Sequence, residues 1–166
     1  MEKKIIIGIS SYEGSNSSQL LRRIASLLSE KDKIMTLHSL KNNYSLNRII
    51  TTINSSTEKT IHIIRFVSTK EEICILKESF KKEHFRVIGI EVPWEDCFKN
   101  LKQKGLIGKN AKPKSWRKRN KVNEYRKKIL ACHKEIQTYG DYLYIIDEQA
   151  PFEISGKIAD SILLMH

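Results

Sequence analysis

No hydrophobic run in this sequence approaches the eighteen or so residues that a membrane span needs; near the start the longest is Ile5 to Ile7. The first residues also lack the apolar stretch of a secretory signal, so neither a bilayer nor export is expected. Cysteine is scarce. Cys74, Cys97 and Cys132 are far apart and form no CxxC pair. An odd, scattered set excludes a disulfide framework and a zinc site, and reads as reduced, buried thiols in a cytoplasmic protein. The five histidines (His38, His62, His84, His133 and His166) fall into no HxxxH or HxxE pattern, so packed or exposed side chains are expected rather than metal ligands. Internal repeats and low-complexity linkers are also absent. With 166 residues, 40% of them hydrophobic, the chain has the length and the apolar content for one domain, 1–166, with its own core.

Acidic residues are missing from one place in particular. Between Leu101 and Leu130 twelve basic residues face a single acid, Glu124. The formal net charge of the whole chain is +11, and this segment carries all of it, because the remaining residues hold 18 bases and 18 acids. Basicity confined to one stretch points to a polyanionic partner rather than to general solubility.

Hydrophobic patterning alternates between two periods. Lys4–Ser10, Lys33–Leu40, Thr60–Val67, Phe85–Val92 and Tyr142–Ile146 read as strands, rich in β-branched and aromatic residues. Between and after them, Gln19–Ser29, Leu46–Ile53, Thr69–Lys82, Trp94–Lys104, Val122–Thr138 and Phe152–Leu164 read as helices. Ser68 or Thr69 caps the third, with Glu71 and Glu72 in its first turn; Gly105 ends the fourth. Strands that alternate with helices imply an α/β fold: a five-stranded parallel sheet covered on both faces. The one long irregular stretch, Gly105 to Lys121, lies inside the basic segment. Loops of that length are commonly functional.

After the first strand comes the window Ser11-Tyr12-Glu13-Gly14-Ser15-Asn16-Ser17-Ser18. A phosphate loop reads GxxxxGK[ST] between a strand and a helix, its backbone N–H groups cradling phosphates and its last hydroxyl reaching Mg²⁺. Aligned so, Ser11 and Asn16 stand where glycines belong, Ser17 stands where the lysine belongs, and Ser18 keeps the hydroxyl. A Gly/Ser-rich stretch also serves a plain strand-to-helix turn, and the window alone leaves both readings open.

The chain resembles the P-loop nucleotide kinases, in particular the group of dephospho-CoA kinase and the deoxynucleoside monophosphate kinases. Beyond the loop, the resemblance rests on Arg65 followed by Glu71 or Glu72 and Leu76, on VIGIEVPWEDCFKNLKQKG, and on GDYLYIIDEQAPFEISGKIADSIL. It implies a three-layer P-loop NTPase-like domain with residues 101–130 as a basic, lid-like insertion. It further implies ATP or another nucleotide with Mg²⁺ as ligand. Gly14, Ser15, Asn16, Ser17, Ser18 and Arg65 would bind its phosphates, and Ser18 would touch the metal. His38, at the end of a strand beside the loop, would line the site.

Two departures bear on catalysis. The P-loop lysine follows charge into the transition state, and a serine hydroxyl does not replace it. Losing such a contact costs about 3–4 kcal/mol, several hundredfold in rate. The family's acid near the end of the second strand is also missing, because Thr36-Leu37-His38-Ser39-Leu40 holds no carboxylate. The sequence therefore reads as a degenerate, noncatalytic kinase-like protein reused for binding, with no catalytic residues assigned. The alternatives are an active kinase that phosphorylates a nucleoside monophosphate or dephospho-CoA with ATP, its charge supplied by Arg22, Arg65 or a lid arginine, and an adaptor that binds no nucleotide.

An enzyme lid needs two or three arginines, and this segment has far more charge than that. Lys109, Lys112, Lys114, Arg117, Lys118, Arg119 and Lys121 surround Trp116, an aromatic among cations that suits phosphate-backbone contact with base stacking. Nucleic acid is the expected partner, RNA in a ribosome-like assembly first among the candidates. A solvated loop anchored by Trp116 and a catalytic lid using Arg117, Arg119 and Arg126 remain alternatives.

Overall fold

The computed structural model of the chain describes residues 4–10, 15, 17–40, 43–57, 60–83, 85–108, 121–145 and 151–165. Five strands, β1 (Ile5–Ser10), β2 (Met35–Ser39), β3 (Ile61–Arg65), β4 (Arg86–Glu91) and β5 (Tyr142–Ile145), form one parallel sheet in the order β2-β3-β1-β4-β5. Six helices accompany them: α1 (Ser17–Ser29), α2 (Asn43–Ser55), α3 (Lys70–Ser79), α4 (Trp94–Gln103), α5 (Lys121–Tyr139) and α6 (Pro151–Leu163). Among the described residues, no helix is long and apolar enough to cross a membrane.

The period of two along each strand divides the core into two layers. Ile7 and Ile9 of β1, Ile61 and Ile63 of β3, and Ile88 and Ile90 of β4 pack with Leu21, Ile24 and Leu28 of α1, Leu101 of α4 and Ile158 and Ile162 of α6. On the other face Ile6, Ile64 and Val87 meet Leu46, Ile49 and Ile53 of α2, Ile73 and Leu76 of α3, and the Phe80 and Phe85 rings. Both faces of the central strands are therefore dry. This is why those segments are near-continuous apolar runs rather than alternating ones.

Several element ends differ from the sequence reading, each for a local reason. β3 stops at Arg65, two residues before Val67, because Phe66 adopts φ 64° and leaves the extended region. α1 begins at Ser17 rather than Gln19, since both serine hydroxyls find a partner across the fold. α2 runs well beyond the apolar stripe Leu46–Ile53. The Thr51 and Thr52 hydroxyls donate to the Asn47 and Arg48 carbonyls at 3.0 and 2.8 Å, so these β-branched polar residues sit in the helix without competing for it. α3 is capped by Thr69 and ends at Ser79, short of Lys82. After α4, Gly105 takes φ 69°, the left-handed conformation suited to a helix stop. α5 begins at Lys121, the residue where the irregular stretch was expected to end.

The strand order has a switch point. Neighbours β1 and β4 lead onward to β2 and β5, at opposite edges of the sheet. In open α/β sheets, ligands bind outside the carboxyl ends of strands at such a divergence.

Candidate functional site

The carboxyl ends of the strands present Ser10, Ser39, Arg65, Glu91 and Ile145. Ser10 is buried at the end of β1, and the register Ile9↔Arg65 sets the end of β3 directly beside it. Gly14 and Asn16 lie outside the described residues; Ser15 and Ser17 are buried, and Ser18 is exposed at the start of α1. The first turn of α1 holds no acidic residue, so nothing there offsets the positive end of the helix dipole.

Arg65 closes this corner. Its Nη2 donates to Ser17 Oγ at 3.1 Å and to Ser18 Oγ at 3.0 Å. Its guanidinium lies over the Phe66 ring, 4.5 Å from the centroid, a cation–π contact made by the residue with the left-handed φ. Arg65 Nε is buried and has no hydrogen-bond partner among the described residues. Partial burial lowers the Arg65 pKa. Ser17, at the start of α1, is thus held by a cation from the end of β3.

Among the described residues, Glu72 and Glu91 are engaged elsewhere. Thr69 Oγ1 accepts the Glu72 amide at 3.2 Å, and Glu72 Oε2 accepts the Ser68 amide at 3.4 Å, a reciprocal cap at the start of α3. Burial raises the Glu72 pKa, partly offset by hydrogen bonding of the carboxyl to the Ser68 amide and the Thr69 side chain. Of the two acids singled out after Arg65, Glu72 is the half-buried one and Glu71 is exposed.

Glu91 belongs to a cluster that the sequence reading did not anticipate. The carboxylate lies 3.7 Å from His133 Nδ1 and accepts Gln137 Nε2 at 3.3 Å, both from α5. Burial lowers the His133 pKa, against the pull of Glu91. The four-residue spacing of His133 and Gln137 puts them on one helix face, but nothing in the sequence ties that face to the end of β4. One residue before His133, Cys132 Sγ lies 3.6 Å from Ser10 Oγ, and burial raises the Cys132 pKa.

His38 is engaged by His62. Its Nε2 lies 3.1 Å from His62 Nδ1, the rings stack at 5.4 Å, and His62 Nε2 lies 3.1 Å from Thr60 Oγ1. Burial lowers both histidine pKa values, that of His62 to about 4 with help from the charges of His38 and Lys4. No group of three His, Cys, Asp or Glu side chains that could hold a metal occurs among the described residues.

Of the expected nucleic-acid contacts, Lys109, Lys112, Lys114, Trp116, Arg117, Lys118 and Arg119 lie outside the described residues, and Lys121 is the first residue of α5. On either side of them the basic segment continues. Lys104 is exposed after α4, Lys102 lies 4.8 Å from the Phe98 ring centroid, and Arg126, Lys127 and Lys128 are exposed on α5.

No protein-family model matches the chain, and no curated protein matches its sequence. Solved structures do match its fold. Kti12 from Chaetomium thermophilum in complex with ADP-AlF3 superposes with a TM-score of 0.63 at 12% identity, over 95% of this chain and 98% of that one. Shikimate kinase from Acinetobacter baumannii in complex with shikimate gives 0.59 at 13% identity, over 96% and 93%. The Mycobacterium tuberculosis APS kinase CysC in complex with AMPPNP and APS gives 0.59 at 10% identity, over 98% and 99%. At such identities the likeness is one of fold. Together with the all-parallel order β2-β3-β1-β4-β5, it establishes that this chain has a P-loop nucleotide kinase-like fold.

Proposed function

We propose that this protein is a degenerate, noncatalytic relative of the P-loop kinases that works by binding. It takes nucleotide phosphates at the start of α1, and nucleic acid, RNA foremost, along residues 101–130. The observation that carries this reading is the corner itself. Ser17, which the sequence alignment sets at the lysine position, accepts a hydrogen bond from the Arg65 guanidinium, and the ends of β2 and β3 offer Ser39 and Arg65 rather than carboxylates. Cationic charge and helix N–H groups suit anion binding, whereas the acid that would activate an acceptor or hold a metal is replaced. The ADP-AlF3 and AMPPNP complexes of Kti12 and APS kinase support a nucleotide as the ligand class for this fold. Exposed Lys104, Arg126, Lys127 and Lys128 support a polyanion beside it.

Two assays test the reading. Incubated with radiolabelled ATP and nucleoside monophosphates or dephospho-CoA, the protein should transfer no phosphate. Single-stranded RNA should bind it with an affinity that falls about 10³–10⁵-fold between 50 and 200 mM salt, as six to ten phosphate contacts require. Charge reversal at Lys114, Arg117, Lys118 and Arg119 should abolish that binding. Unchanged association overturns the nucleic-acid half of the proposal. Phosphoryl transfer that disappears in Arg65→Ala establishes instead the second reading, an active kinase. One observation favours that reading: Arg65 returns a positive charge to the Ser17 position.

A further inference from the structure

The metal that this fold implies is Mg²⁺, which P-loop proteins hold with the loop hydroxyl and a carboxylate at a strand end. The residues present do not fit it. Ser18 Oγ, the hydroxyl in question, accepts Arg65 Nη2 at 3.0 Å. A Mg²⁺ ion ligated by that oxygen at its usual distance of about 2.1 Å would stand within roughly 5 Å of the guanidinium nitrogen. A dication and a full positive charge would then share one oxygen.

Among the described residues, no free carboxylate stands at the strand ends beside Ser18 to offset that repulsion. The end of β2 supplies Ser39, and the end of β3 supplies the arginine itself. The Glu72 carboxylate accepts the Ser68 amide, and Glu91 is turned to His133 and Gln137. Mg²⁺ also demands near-octahedral oxygen ligation, and one hydroxyl shared with a cation supplies little of it.

The same geometry favours an anion. Nη2 is engaged by the two serine hydroxyls, and Nε is buried without an acceptor among the described residues. A buried unsatisfied donor calls for an explanation, and a guanidinium edge is matched by the paired oxygens of a phosphate group. Phe66, in the left-handed region, keeps its ring against the guanidinium plane. Backbone strain of this kind persists where the surroundings over-determine it, and it gathers at ligand clamps.

We infer that Arg65 takes the place of the divalent cation, so that this corner binds the oligophosphate of a nucleotide as the metal-free anion. The inference rests on the nucleotide half of the proposed function and sharpens it. Arg65 forms the counter-charge, Ser17 and Ser18 hold it in place, and Mg²⁺ competes by neutralising the ligand instead of bridging it to the protein.

The test is a calorimetric titration of the full chain with ATP and with ADP at matched ionic strength, once in EDTA and once in excess MgCl₂. The inference expects binding in EDTA at least as tight as in magnesium. It also expects Arg65→Ala to lose about tenfold or more of the EDTA affinity, as removal of a charge-assisted hydrogen-bond donor implies. Arg65→Lys, which keeps the charge but not the fork, should fall between the two. Thermal melts of both variants confirm folding. The wild-type comparison decides the matter without them. Binding only in magnesium overturns the inference and leaves nucleotide binding standing; no binding in either buffer overturns both.

Discussion

Arg65 and His62 share one strand and illustrate two opposite fates for a basic side chain. Arg65, at the carboxyl end, keeps its charge by meeting hydroxyls and an aromatic face. His62, three residues earlier and 3% exposed, is neutral: dehydration, His38 and Lys4 all oppose its protonation. Its folded-state pKa of about 4 lies below the ordinary 6.5. Between these values the unfolded chain binds the extra proton, so the His62 contribution to stability is fully present above about pH 6.5 and is lost as the pH falls towards 4. The melting temperature of the wild type should therefore drop across that window. His62→Gln should be less stable at neutral pH, because the Thr60 and His38 contacts are perturbed, yet lose less on acidification. Circular-dichroism melts from pH 4 to 8 measure both slopes; parallel curves would show that His62 does not carry the transition.

Among the elements, α5 joins the basic segment to the sheet, and a glycine decides how closely it packs. A Cβ built on Gly89 of β4 would lie 1.9 Å from Ile136 Cγ2 and 3.3 Å from Leu143 Cδ1. Gly89→Ala should cost roughly 1–3 kcal/mol in urea denaturation, as overpacking does. Combining it with Ile136→Ala should cost less than the two single substitutions together, because the second removes the methyl group that the first collides with. Strict additivity would mean that α5 does not press on β4. The existence and type of every described element were legible in the periodicity, and the Thr69 cap was one of two positions named for it. The ends were less so. Val67 continues the apolar pattern of β3, yet the strand ends at Arg65 because Phe66 takes φ 64°, a conformation its own preference opposes, with its ring against the neighbouring Arg65 guanidinium.

For the whole molecule, charge and burial are distributed unevenly in the same direction. The core lies under β3, β1 and β4, while β5 is an edge strand paired only with β4, with Leu143 45% and Ile145 61% exposed. The net charge of +11 comes from residues 101–130, the segment that leads through α5 to that edge. Native-state hydrogen exchange should accordingly show the strongest protection at Ile6–Ile9 of β1, flanked on both sides, and much weaker protection at Leu143–Ile145. Equal protection in both strands would mean that the sheet opens only as one unit.

The amino-acid sequence by itself determined the alternation of strands and helices, the parallel sheet that alternation implies, and the place where positive charge collects. Those are properties of neighbours along the chain, and periodicity and composition report them directly. The order of the strands, and everything that depends on it, was decided by the tertiary structure. Arg65 meets Ser17 and Ser18 across 48 and 47 residues, His133 meets Glu91 from the helix in which the basic segment ends, and Gly89 receives Ile136. Arg65 could be singled out by resemblance, but its partners could not. No spacing in a linear sequence states which strands lie side by side, and it is that adjacency which brings a guanidinium to the start of α1.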